Sequence, residues 1–159
     1  MANPTFSPLT DAERNWVAQQ LEGARLFVAA MSPADADQPA TLEALDRAFA
    51  AWLPQAGDDV TRINATINVV GVQFGQFLVD RAGFEWTIAA DAQGTDLAVR
   101  ALPGGGDVLV YPANFVAKRW ERRESNFLAA SFEAMREQVA AIRGGSPHQE
   151  RRPWWRFWG

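Results

Sequence analysis

The sequence contains no cysteine and a single histidine, His148. Without cysteine, the chain cannot form a disulfide scaffold, a thiolate metal site or a cysteine nucleophile. One histidine in a polar C-terminal segment leaves little room for a serine–histidine–aspartate triad or a multi-histidine metal site. We therefore expect no catalytic residues of these classes, no bound metal and no cofactor.

Long apolar runs are also missing. The uncharged stretch over residues 63–79 contains two asparagines and two glutamines, so it predicts a buried core helix rather than a membrane span. The first ten residues lack the basic and apolar regions of a signal peptide. We therefore expect a cytoplasmic protein of bacterial type.

The charge is unevenly distributed along the 159 residues. Residues 1–112 carry a net charge of −8 and residues 113–159 a net charge of +4, which gives −4 for the chain. A basic C-terminal part can meet an acidic partner, whereas a chain with a pI near 5.0 is poorly suited to general nucleic-acid binding. The composition is that of a globular protein, and we expect one domain over residues 1–145 followed by a tail over residues 146–159.

Apolar spacing predicts three helices in the first half of the chain. The first begins at the capping box of residues 10–13 and the second covers residues 41–53. The third is capped by Asp58 or Asp59 and ends at Gly83. Because glycine costs about 1 kcal/mol relative to alanine inside a helix, Gly71 and Gly75 indicate close packing against another element.

The period changes to two at Phe84, which predicts β-strands over residues 84–89, 95–101 and 107–111. The register that aligns the apolar sides of the first two strands pairs Trp86 with Val99, Ile88 with Leu97 and Glu85 with Arg100. Two further helices are predicted over residues 114–123 and from Ser125 to Gly144. The fold class is therefore α+β, with three N-terminal helices, a small three-stranded antiparallel sheet and two C-terminal helices.

Four short runs carry a resemblance to a known family. They are Phe84-Glu85-Trp86, Asp91-Ala92-Gln93-Gly94-Thr95-Asp96-Leu97-Ala98, Val108-Leu109-Val110-Tyr111-Pro112 and Lys118-Arg119-Trp120-Glu121. With them, the chain resembles a bacterial domain of unknown function, number 3806, over roughly residues 60–143. The resemblance implies the same order of helices and strands, and it implies no activity.

Charged residues in the centre of the chain are the candidate binding residues of the body: Glu85, Asp96, Arg100, Lys118, Arg119, Arg122 and Arg123. Lys118–Arg122 and Arg119–Arg123 are like-charge pairs four residues apart, which destabilise a helix unless other groups neutralise them. Glu121 and Glu124 can neutralise part of this charge, and an anionic ligand or an acidic partner can neutralise the rest. One of Arg119 and Arg122 is a candidate for an ion pair with Glu85 or Asp96.

The tail holds three arginines and four large aromatic residues within residues 151–159. Tryptophan and arginine are frequent anchors of protein interfaces and also suit a membrane surface. Trp154, Trp155 and Trp158 are therefore candidate binding residues, through which the tail docks on its own body, on a second copy or on another protein.

The leading hypothesis is a non-catalytic domain that binds a protein or another ligand, with self-association through the tail as one form of it. The alternative is a small hydrolase-like enzyme that uses Glu85, Asp91 or Asp96 beside the sheet. A third hypothesis is a peripheral membrane protein that uses its Trp/Arg tail.

Overall fold

The computed structural model describes residues 4–144 and has an α+β architecture. Within these residues there are five α-helices and four strands: β1 (Thr5–Ser7), α1 (Asp11–Met31), α2 (Leu42–Trp52), α3 (Val60–Ala82), β2 (Glu85–Asp91), β3 (Gly94–Ala101), β4 (Val108–Val110), α4 (Pro112–Glu121) and α5 (Leu128–Arg143). Short 3-10 turns follow α1 and α2, at Pro33–Asp35 and Leu53–Gln55. The predicted tail, residues 146–159, lies outside the described residues.

The sheet has four antiparallel strands in the order β1-β2-β3-β4, so the prediction of three strands was wrong. The additional strand, β1, pairs Phe6 with Ala89 of β2. β1 is only three residues long and lies between Pro4 and Pro8. A three-residue strand is too short for an alternating apolar pattern to be recognised in the sequence.

The register of the central hairpin confirms the prediction. Trp86 pairs with Val99, Ile88 with Leu97 and Glu85 with Arg100. Because side chains alternate along a strand, the sheet has two distinct sides. The inner face carries Trp86 and Val99 and packs against the helices; the outer face carries Ala89, Ala98 and Arg100.

The predicted start of the first helix is confirmed, as are the predicted start and end of the third helix. The Glu13 amide donates to Thr10 Oγ1, and the Thr10 amide donates to Glu13 Oε1, which completes the capping box. Asp59 Oδ1 accepts from the Thr61 amide at the start of α3. Gly83 ends α3 with a φ of 75°, a left-handed conformation that glycine adopts without a steric cost.

The starts of the last two helices differ from the prediction. α4 begins at Pro112, two residues before the predicted start at Asn114, because the missing N–H and fixed φ of proline suit a first helical turn. Ser125 does not cap α5, which begins at Leu128. Instead, the buried carboxylate of Asp46 on α2 accepts the Leu128 and Ala129 amides at 2.9 and 3.0 Å.

The predicted close packing at the two α3 glycines is confirmed, and each glycine has its own neighbour. A Cβ at Gly71 would lie 2.8 Å from the Cα of Ala113 on α4. A Cβ at Gly75 would lie 2.5 Å from the indole of Trp86 on β2. α3 therefore contacts both the sheet and the start of α4, the helix that leads into the basic residues.

Candidate functional site

Most of the predicted basic residues lie in one segment, residues 118–124, which we call the basic turn. The Arg123 amide donates to the Trp120 carbonyl and the Glu124 amide to the Arg119 carbonyl, both at 3.0 Å. These bonds form the usual C-terminal cap of a helix that ends in a left-handed residue. That residue is Arg123, with a φ of 56°, where glycine is the common choice. A non-glycine residue in this conformation stores strain of about 1 kcal/mol or more.

A column of aromatic rings supports the exposed end of the basic turn. The Arg123 guanidinium lies 3.6 Å from the centre of the Trp120 ring, within cation–π range. Trp120 in turn contacts Trp52 of α2, with ring centres 5.1 Å apart, and Trp52 contacts Phe49 in the core. Arg123 therefore lies at the surface end of a row of contacting aromatic rings that begins in the core.

Arg119 and Arg122 have different surroundings. Arg119 is only 21% exposed and lies over the Phe115 ring at 4.3 Å, whereas Arg122 is 64% exposed. Both form ion pairs with Glu124, at 3.5 and 3.7 Å. The predicted ion pair of one of them with Glu85 or Asp96 was therefore wrong, because a carboxylate in the same turn reaches both guanidinium groups.

Beside the basic turn lies an open cleft of about 560 Å³. Its walls come from the end of α2, the 3-10 turn after it and the basic turn: Ala50, Leu53, Pro54, Gly57, Trp120, Arg123 and Ser125. The cleft thus combines apolar side chains with one guanidinium and one hydroxyl group. Lys118 lies half-buried on α4, one turn before Arg122.

Arg100, Glu85 and Asp96 lie on the sheet and do not join the basic turn. Arg100 forms an ion pair with Asp107 at 3.5 Å and lies over the Phe6 ring at 3.8 Å. Glu85 is exposed, and although its Cα pairs with Arg100 in the register, the Arg100 ion pair is with Asp107. The predicted binding residues therefore divide into two separate groups.

The structure does not bring Glu85, Asp91 and Asp96, the acidic residues of the enzyme hypothesis, into one pocket. Asp96 lines an open hollow of about 200 Å³ with Glu13 and Trp16, and neither Glu85 nor Asp91 lines it. Burial raises the pKa of Asp96, against the opposing effect of the Leu97 amide, which donates to it. The hollow thus holds two carboxylates, Glu13 and Asp96, but Arg100 does not line it.

Tyr111 lies close to two of these carboxylates on the outer face. Burial raises the pKa of Tyr111, and the negative charges of Asp91 and Asp96 raise it further. The three groups therefore share one end of the sheet. Among residues 4–144, no group of three or more histidine, aspartate or glutamate side chains is placed to hold a metal ion.

Sequence reasoning missed one wall of the cleft. Leu53, Pro54 and Gly57 belong to a segment distant in sequence from the basic turn, and no local pattern links them to it. The only sequence signal was Trp120 in the middle of the basic residues. Trp154, Trp155 and Trp158, the tail residues predicted to bind, lie outside the described residues.

Comparison with known proteins gives one match. A family model described as domain of unknown function DUF3806 matches residues 50–131, which is just over half of the chain and lies earlier than the range 60–143 expected from the sequence. No curated protein and no solved structure matches the chain. None of the helices between residues 4 and 144 has the length and apolar character needed to cross a bilayer.

Proposed function

The chain belongs to the family described as domain of unknown function DUF3806, and because that description assigns no activity, we propose a function from the geometry of the basic turn. The protein is a binding domain that recognises an acidic segment of a partner protein. The segment lies in the cleft beside the basic turn. The observation that carries this proposal is the guanidinium of Arg123, fixed over Trp120 at the wall of that cleft.

Arg122 and Arg123 supply the positive charge that attracts the acidic segment of the partner. Both are exposed, and the ion pair of Arg122 with Glu124 is long, at 3.7 Å. An exposed pair of this kind contributes little free energy, so a partner carboxylate can replace it. Arg119 has a supporting role, because it is largely buried against Phe115 and bound to Glu124.

The apolar walls indicate that charge is only part of what is recognised. Leu53, Pro54 and the indole of Trp120 line the cleft together with Arg123. Tryptophan and arginine are the side chains most often found at the energetic centre of protein interfaces. A peptide that alternates acidic and apolar side chains matches this surface better than a purely acidic one.

All seven residues that line the cleft fall within residues 50–131, the segment matched by the family model. Among the described residues, the N-terminal strand therefore contributes nothing to the walls of the cleft. This supports a function that belongs to the family's domain rather than to the segments outside it.

The test measures binding of a fluorescein-labelled peptide of alternating Glu and Leu by fluorescence anisotropy. Arg122→Glu and Arg123→Glu are each expected to weaken binding about tenfold, the effect of losing one interface anchor. The matched control is Arg25→Glu on α1, because Arg25 is 59% exposed and paired with Glu22; it changes the net charge equally. We expect the control to bind within about twofold of the parent, as surface charges outside an interface do.

Two further peptides separate specific from general attraction. A peptide of alternating Glu and Ser tests the apolar walls and is expected to bind more weakly. A peptide of alternating Lys and Leu is expected not to bind. Equal losses for Arg25→Glu and Arg122→Glu would mean that only net charge is sensed, and the proposal would then be wrong.

A further inference from the structure

The outer face of the sheet carries an apolar cluster that is separate from the core beneath the helices. Its floor is formed by Ala89, Ala98 and Leu109, which are buried, and the half-buried rings of Phe6 and Tyr111 pack against them. Among residues 4–144, no helix contributes a side chain to this cluster. The described helices therefore cover only the inner face of the sheet.

Arg100 lies across this outer cluster with an incomplete set of partners. Its guanidinium stacks on Phe6 and forms an ion pair with Asp107. Its Nε is buried and has no hydrogen-bond acceptor within the described structure. A buried donor of this kind is uncommon, because losing water without gaining an acceptor costs free energy.

Acidic side chains surround the outer cluster. Glu85, Asp91 and Asp96 are exposed on the strands that form this face. They give it an acidic rim, in contrast to the basic turn. A segment that combines aromatic rings with positive charges is complementary to this face and is repelled by the basic turn.

The described chain ends close to the end of the sheet where β4 begins. Ile142 near the end of α5 packs on Gly106, so closely that a Cβ there would lie 2.7 Å from Ile142 Cγ2. Gly106 precedes Asp107, the ion-pair partner of Arg100. Residues 145–159 follow, and a chain of fifteen residues can span roughly 50 Å. A four-stranded sheet is only about 15 Å across.

We propose that residues 151–159 of this chain dock on the outer face of its own sheet. The segment contains Arg151, Arg152 and Arg156 together with four aromatic residues: Trp154, Trp155, Phe157 and Trp158. Its arginines lie against the acidic rim. Its rings pack on Phe6 and Tyr111, where burial removes apolar surface that would otherwise contact water. A backbone carbonyl of the segment accepts the Nε–H of Arg100.

The test uses the absence of cysteine from the chain. A full-length Gly159→Cys variant takes one nitroxide label, and broadening of amide resonances in NMR spectra reports which residues the label approaches. We expect loss of peak intensity over residues 87–91, 96–100 and 109–111, and unchanged peaks over α2. The expected loss disappears when Trp154, Trp155 and Trp158 are all replaced by serine.

Matched variants and a mixed sample complete the experiment. The double variant Asp91→Asn/Asp96→Asn is expected to reduce the intensity loss. The double variant Asp37→Asn/Asp58→Asn makes an equal charge change at exposed positions off the sheet and is expected to leave the intensity loss unchanged.

A sample that mixes labelled unenriched chains with unlabelled ¹⁵N-enriched chains is expected to show no loss of peak intensity. Loss of peak intensity in the mixed sample as well would assign the face to a second copy. Loss at the basic turn, or none anywhere, would overturn the proposal equally. None of these outcomes bears on peptide binding at the cleft.

Discussion

Asp46 shows how much a single side chain can determine in this fold. It lies on α2, is 8% exposed and accepts two amide protons from the first turn of α5. The negative charge therefore sits at the positive end of a helix dipole, where it is stabilising. The Asp46 carboxylate on α2 thus caps α5 and takes the place of a cap from a residue next to α5 in the sequence.

Asp46→Ala is expected to destabilise the protein by about 2 kcal/mol, because two amides lose a charged acceptor in a buried place. Asp46→Asn retains one oxygen acceptor and should lose less. Urea unfolding followed by circular dichroism measures both. The control is Asp59→Ala, which removes the exposed cap of α3, where water can replace the lost acceptor. A loss for Asp46→Ala no larger than that of the control would contradict this role.

The packing of α3 determines the relative positions of the elements. Gly71 lies against the backbone of α4, and Gly75 lies against Trp86. The indole of Trp86 also donates to Gln76 Oε1 on α3 at 2.9 Å. Backbone cannot move aside as a side chain can, so the approach of α3 to α4 requires glycine at position 71.

Gly71→Ala is expected to destabilise the protein by about 1–2 kcal/mol, since the strain of overpacking exceeds the gain in helix propensity. Gly23→Ala on α1 is the matched control, because its Cβ would meet only side-chain atoms of Val69. Thermal unfolding of both variants gives the comparison. If Gly23→Ala were the more damaging of the two, the argument about α4 backbone would fail.

Sequence patterns predicted correctly the features that depend on residues close together in the chain. The capping box at Thr10, the left-handed Gly83 and the register of Trp86 with Val99 all depend on neighbouring residues or on a single hairpin, and they are confirmed. The strand β1 and the cap from Asp46 depend on residues distant in sequence. No repeat or spacing encodes such contacts, so they could not be predicted.

The candidate site follows the same division. Arg119, Arg122 and Arg123 remain predicted binding residues, and the expected neutralising role of Glu124 is confirmed. The alternative ion pair with Glu85 or Asp96 was wrong, because Glu124 lies closer in the chain and reaches both Arg119 and Arg122. The cleft beside them depends on the end of α2. Which side chains carry charge can be read from a sequence, whereas which apolar wall they share depends on tertiary packing.

At the scale of the whole molecule, the two sides of the sheet have different surroundings. Helices pack on the inner face, whereas strands alone make up the described part of the outer face. The two outermost strands, β1 and β4, are each three residues long. Short outer strands leave few free backbone groups for pairing with another molecule.

Deletion of residues 1–7 removes β1 and leaves β2, a strand of seven residues, as an outermost strand whose residues Ile88–Ala90 have lost their partner. We expect this variant to associate with increasing concentration in sedimentation experiments, because a longer strand then offers unpaired amides and carbonyls. Phe6→Ala is the control, since it removes the ring but retains the backbone pairing of β1. A deletion variant that sediments like the parent at every concentration would contradict the protective role of β1.

The position of β1 also has a consequence for the order of folding. Thr5 bonds to Ala90 across 85 residues of chain, whereas the β2–β3 hairpin closes through a short turn. Closing a long loop costs more entropy than closing a short one, so hairpins form early and distant pairings late. On the ribosome, β1 is synthesised before the other three described strands, but it has no partner until β2 has emerged. Although β1 precedes β2–β4 in the chain, it is therefore among the last parts of the described sheet to reach its place.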